Sequence, residues 1–306
     1  MTRVIAAERR LVSDRPLDLA RTVGSLRHGN GDPVARWLRG TFCWATRTPG
    51  GPGSIAVRML AGEVLAEAWG SGADWMLAAL PDLVGEFDDW SELDVSAHPV
   101  LAEVRHRLPG VRLTRTGRVL DSLVPACLEQ RVTGQEAFRA WRWLTKAVGE
   151  RAPGPAELGL WLPAEPGRLL EVPTWDWHRF GVDGQRHRTI RAVATVADRL
   201  EECVGLDPAE ARRRLLLVPG VGEWTAAETT VRALGDPDAV SVGDFHLANR
   251  VGWALIGAPR STDETMLELL EPWRGQRARV IRLIELSGLN PPKYGPRFSP
   301  TDIRKL

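Results

Sequence analysis

Lysine is scarce in this chain. Of 40 Lys+Arg residues, only Lys146, Lys293 and Lys305 are lysines, and none falls between 147 and 292. A chemistry that needs an amine nucleophile in that span has no source for it. Cysteine is equally sparse. Cys43, Cys127 and Cys203 stand 84 and 76 residues apart, with no CxxC and no zinc spacing. An odd count excludes a complete disulfide framework and suits a reducing compartment. No run approaches the ~20 apolar residues of a membrane span. The first ten residues hold too short an apolar stretch for a signal peptide. The expected location is therefore cytoplasmic and nucleoid-associated, with no membrane partner. The net charge is +1, so a uniform basic field is absent, and nucleic-acid binding would have to rest on clustered arginines. No metal site and no cofactor site is expected.

What is present is a globular composition. Hydrophobic residues make up 43% of the 306 and charged residues 26%, which excludes disorder and fibrous folds. The length suggests two or three domains. Residues 1–72 are Gly-rich with strand-like stretches. Phe42–Thr46 reads as a strand, and 54–60 and 64–69 read as a hairpin around Ala61-Gly62-Glu63. Asp74 to Leu80 reads as a short helix closed by Pro81. A small α+β domain is expected over 1–92, followed by a helical domain over 93–306. The fold class is thus mainly α with a small α+β start.

The helical part carries strong local signals. Apolar spacing predicts a helix over Val119–Arg131, in which Pro125 is tolerable only near the first turn. Thr133 and Glu136 form a capping box, as do Ser261 and Glu264. Arg151 to Pro166 reads as a loop, and Arg188 to Val204 as a helix. Asp207-Pro208-Ala209-Glu210 is a helix start. The helix it opens runs into Leu217-Val218-Pro219-Gly220-Val221-Gly222-Glu223-Trp224-Thr225, where a second helix begins at once. Gly220 and Gly222 can adopt positive φ and turn N–H groups toward one point at a helix N-terminus. Such a point favours a phosphate. Asp244 lies 20 residues after Trp224 at the start of a further helix, where a carboxylate serves as an N-cap or as a catalytic group.

Residues 215–253 resemble the motif of the helix-hairpin-helix DNA glycosylase superfamily. Cys127-Leu128-Glu129-Gln130-Arg131-Val132-Thr133 resembles the segment whose loop enters the DNA at the lesion. Glu271-Pro272-Trp273-Arg274 resembles a segment of the inducible 3-methyladenine glycosylase branch. The resemblance implies a helical catalytic domain of two subdomains flanking a cleft, with the hairpin at 217–222. It implies that Asp244 is catalytic. Val218, Gly220, Val221, Gly222, Thr225, Gln130 and Arg131 would contact double-stranded DNA containing damaged bases. Arg131 would stand where the branch inserts a wedge.

Where bifunctional members carry a Schiff-base lysine, this chain has Trp224, and no cysteine follows Cys203 to build an iron–sulfur cluster. The implied enzyme is a monofunctional, cofactor-free monomer that flips out and hydrolyses damaged bases, with alkylated purines as the leading substrate. Trp224, Trp175, Trp177 and Glu285 are the base-pocket candidates. Arg105, Arg107, Arg112, Arg115 and Arg118 form a basic run that could add backbone affinity. His178 and His246 are read as structural. The rival readings are a non-catalytic helix-hairpin-helix DNA-binding protein and a monofunctional glycosylase for deaminated or oxidised bases.

Overall fold

A computed structural model describes residues 7–292, together with Asp302 and Arg304. The first six residues, Lys293 and Lys305 lie outside the described residues. Five antiparallel strands form the sheet: β1 (Ala7–Leu11), β2 (Ala35–Leu38), β3 (Thr41–Thr48), β4 (Gly51–Leu60) and β5 (Glu63–Trp69), in the order β1-β5-β4-β3-β2. The expected hairpin is β4–β5. Its turn is two residues rather than three, because Leu60 pairs with Glu63. Ala61 (φ +50°) and Gly62 (φ +87°) are both left-handed, which matches the right-handed twist of the strands. Pro81 does not close a helix. The helix Ala73–Ala78 ends three residues before it, and Pro81 sits in the first turn of Leu80–Leu83, where its missing N–H costs nothing.

Local codes set most helix boundaries. The Thr133–Glu136 capping box opens Gly134–Val148. Asp207 accepts from Ala209 N and starts Pro208–Leu216 with Pro208 in its first turn. The other expected box is displaced by one residue. Asn249 Oδ1 takes the Ser261 amide at 2.9 Å, and Thr262 caps Asp263–Leu270 instead. Pro125 lies well inside the helix Val119–Glu129, not in its first turn. Ser122 to Leu128 are all buried, so packing outweighs the ~3 kcal/mol that an interior proline costs. The 188–204 helix is observed as Gly184–Thr195 and Ala197–Glu201, broken at Val196. The expected 151–166 loop is interrupted by a short strand pair, Glu150–Arg151 against Trp161–Leu162.

Two large apolar cores organise these elements. One joins the sheet and residues 73–84 to the helices between 119 and 234. The other gathers Trp90–Val111 with Val240–Ile284. The chain therefore crosses between the cores three times, near 85–89, 112–118 and 235–239. The three cysteines are free and buried.

Candidate active site

The seam between the two cores holds a cavity of about 290 Å³, at the low end of ligand-sized pockets. Glu129, Trp224 and Glu228 line it from one side, and Asp244, Leu247 and Ile281 from the other. Asp244 sits just before the helix Leu247–Ile256. Its Oδ1 accepts from the His246 and Leu247 amides at 2.8 and 2.9 Å. Its Oδ2 accepts from Trp224 Nε1 at 3.0 Å. A carboxylate has about four lone-pair sites, so three are filled and one remains on Oδ2. The loop before it is pinned. Asp236 is buried and accepts from Arg212 and Thr230. Asp238 accepts from Arg277 Nε and Nη2 at 2.7 and 2.5 Å. Burial pushes the Asp238 carboxyl up, but Arg277 outweighs it and holds the group below its ordinary range.

The expected hairpin joins Pro208–Leu216 to Glu223–Ala233. Only one of its glycines is left-handed. Gly220 has φ +88°, and a Cβ there would lie 2.1 Å from Thr189 Oγ1. Gly222 is extended at φ −104° and ψ −179°, with open space where a Cβ would stand. No side chain caps the second helix, so its first-turn N–H groups face outward without an intrahelical partner. The side chains of Val218, Val221 and Thr225 are buried. They anchor the hairpin and do not form its outer surface. At these positions only backbone groups are offered to the outside, because apolar burial outweighs exposure there.

Gln130 ties the preceding segment to the hairpin. Its Nε2 donates to Gly220 O at 3.0 Å and to Thr225 Oγ1 at 2.9 Å. Arg131 follows at φ +54° and is exposed. The helix that delivers them is held at both ends. Glu201 accepts from the Val119 and Leu120 amides at 3.1 and 2.9 Å. The buried Arg186 donates to Leu128 O at 2.8 Å.

The structure gathers Asp244, Trp224 and Glu285 at the cavity. It does not bring the other two tryptophans there. Trp177 is buried and stacks on His187 at 5.1 Å, a core role. Trp175 is 68% exposed. Trp224 also differs from a simple wall, since its N–H is engaged by Asp244. His246 is exposed and edge-on to Phe245, and His178 is exposed. The arginine run is not a basic patch. Arg112 is buried and donates to Glu86, Ser13 and the carbonyls of Arg15 and Pro16. Arg118 pairs with Glu201, Arg115 with Asp82 and Arg107 with Glu103. Arg105 lies over the Trp90 ring.

The lining groups missed as site residues include Glu129, Glu228 and Ser241, and His246, read as structural, also lines the cavity. Glu129 is hydrogen-bonded to His28 Nδ1 at 2.9 Å. Burial raises its carboxyl, but the His28 contact and the Arg232 charge outweigh this and hold it low. Glu228 was detectable, because it lies four residues after Trp224 and so shares its helix face.

Comparison with known proteins places this geometry. No family model matches the chain. The chain is 34% identical over 186 residues, 59% of its length, to a Mycobacterium tuberculosis (strain H37Rv) protein described as a probable bifunctional transcriptional activator/DNA repair enzyme AlkA. It spans 36% of that relative. A 3-methyladenine DNA glycosylase from Archaeoglobus fulgidus superposes with a TM-score of 0.76 at 16% identity, over 90% of this chain and 97% of that one. An 8-oxoguanine glycosylase/lyase from Clostridium acetobutylicum, solved with double-stranded DNA, gives 0.71 at 12% identity, over 93% and 97%. The chain thus shares the fold of these DNA glycosylase structures and is similar in sequence, over 186 residues, to the AlkA relative.

Proposed function

We propose that this chain is a DNA glycosylase of base excision repair, acting as a monomer on double-stranded DNA that contains damaged bases. The observation that carries the reading is Asp244. It stands at the wall of a base-sized cavity, is held by three N–H donors and keeps one acceptor site. A duplex hides its bases, so the nucleotide is flipped into the cavity. The hairpin seats a phosphate on the first-turn amides of its second helix. Arg131 fills the space the base leaves.

Cleavage breaks the C1′–N bond, and its electron pair passes to the departing base. Positive charge grows on the sugar, and the fixed Asp244 carboxylate stabilises it. A water oxygen then bonds to C1′ and its proton passes to Asp244 or to the base. An alkylated, cationic purine is already a good leaving group and needs little acid help. The reading is monofunctional because an indole occupies position 224. Among the described residues, no lysine lines the cavity.

The test is Asp244→Asn on methylated duplex DNA, with abasic sites as the readout. Base release falls about 10²–10⁴-fold while DNA affinity is retained; near-normal release sinks the assignment. Borohydride traps no enzyme–DNA adduct, and a trapped adduct overturns the monofunctional reading.

A further inference from the structure

Besides Asp244, three carboxylates line the cavity, and the cleavage step does not explain the position of one of them, Glu228. Glu228 lies one helical turn beyond Trp224, and its side chain is 19% exposed. Its Oε1 accepts from Ser241 Oγ at 2.5 Å. Its Oε2 accepts from Arg232 Nη1 at 2.6 Å. Arg232 is itself anchored, because its Nε donates to Ser25 O at 3.0 Å. Ser241 from another segment, and Arg232 from the same helix with its own tie to Ser25, therefore hold this carboxylate in one rotamer. Two of its roughly four lone-pair sites are filled, and the others are left for whatever enters the cavity.

We infer that Glu228 is a specificity-determining residue that accepts a hydrogen bond from an exocyclic amine on the flipped base. This rests on the glycosylase reading above. The argument is one of matching donors to acceptors. An adenine-type base carries an amine at purine C6, with two N–H donors. A hypoxanthine carries a carbonyl oxygen at the same ring position. Against a fixed carboxylate the amine forms a charge-assisted hydrogen bond, while the carbonyl sets two acceptors against each other. A site built to accept from a substrate N–H disfavours the analogue that lacks it, because a free acceptor lone pair then faces the carbonyl oxygen and not a donor. Glu228 is held more firmly than its neighbours, since each of its oxygens has a partner. Glu129 is bonded through Oε1 to His28, and Glu285 is paired with Arg282 with its side chain 38% exposed. Ser241 also opens the short turn that leads to Asp244, whose amide donates to Ser241 O at 3.2 Å. The amine-reading carboxylate and the cleaving carboxylate are thus set in register with each other.

The experiment uses the full chain and two duplexes of one sequence. One carries a single N-methylated adenine and the other a hypoxanthine at the same position. Single-turnover release gives the ratio of kcat/KM for the two bases. The wild type favours the amine-bearing base. Glu228→Gln keeps the side-chain size and presents a donor, and it lowers the ratio about ten- to a hundredfold. Glu228→Ala also lowers it. A general loss of stability moves both rates together and leaves the ratio unchanged, so the ratio isolates recognition. A ratio within twofold of wild type in both variants overturns the inference, as does a wild type that prefers hypoxanthine, and the glycosylase reading survives either result. A wild type that releases neither base overturns that reading as well.

Discussion

The two glycines of the hairpin separate two requirements that a motif comparison runs together. Gly220 is needed for conformation. An alanine at φ +88° costs about 1–2 kcal/mol for its left-handed backbone. Its Cβ would stand 2.1 Å from Thr189 Oγ1, so Thr189 must rotate. That breaks the Thr189 bond to Gln185 O, now 3.1 Å, and costs about 0.5–1.5 kcal/mol more. Gly220→Ala should therefore lose about 2–3 kcal/mol, a fall in Tm of about 2 °C per kcal/mol at this size. Gly222 is different. Its backbone is extended and nothing lies within 4 Å of a Cβ there. Gly222→Ala should cost under about 1 kcal/mol, the usual penalty of alanine at an N-cap. Its effect should appear on DNA, where a methyl group obstructs a phosphate seated on the bare amides. We expect affinity for undamaged duplex to fall about tenfold, with the salt slope shallower by about one. Thermal unfolding and Kd at four salt concentrations read both variants. A Gly220→Ala protein with unchanged Tm, or a Gly222→Ala protein with unchanged Kd and slope, refutes the division of labour.

Two further predictions follow from the same packing. Trp224→Phe keeps a ring but removes the N–H that Asp244 Oδ2 accepts; the loss of about 1.5–3 kcal/mol should cut single-turnover base release at least tenfold with little change in DNA affinity, and an unchanged rate would show that Asp244 needs no such donor. Burial pushes the Asp121 carboxyl up to about 6, against the opposing pull of Arg118. Its proton is thus held more tightly in the folded state, so the Asp121 contribution to wild-type stability should decline as pH rises from about 4 to about 6, by at most about 3 kcal/mol. Asp121→Asn should match wild type near pH 4 and exceed it at pH 7 in urea unfolding; a difference that does not change with pH counts against the burial argument.

Much of this architecture was legible because its signals are local. The Thr133–Glu136 box and the Asp207-Pro208 start each need only three or four neighbouring residues, and both are observed. The β4–β5 hairpin was legible for the same reason. The signals failed where a distant partner intervened. Asn249 took the Ser261 amide from twelve residues away and displaced a helix cap. Glu86 and Ser13 drew Arg112 inside and dispersed a run that reads as a basic face. Apolar character alone could not separate Trp177, packed on His187, from Trp224 at the cavity. Glu129 lies within the 127–133 motif, but its place at the cavity depends on packing that no spacing reveals.

The bond from Gln130 to Gly220 O gives the molecule a built-in ruler. It joins the loop tip that carries Arg131 to the turn that would seat a phosphate, and the helix behind it is clamped at both ends. In an enzyme working as proposed, the distance from grip to extrusion is then a constant of the scaffold, independent of the lesion. Every nucleotide that passes is offered to the cavity at the same offset from the gripped phosphate. Selection among bases is thereby left to the cavity lining, after the strand has been placed.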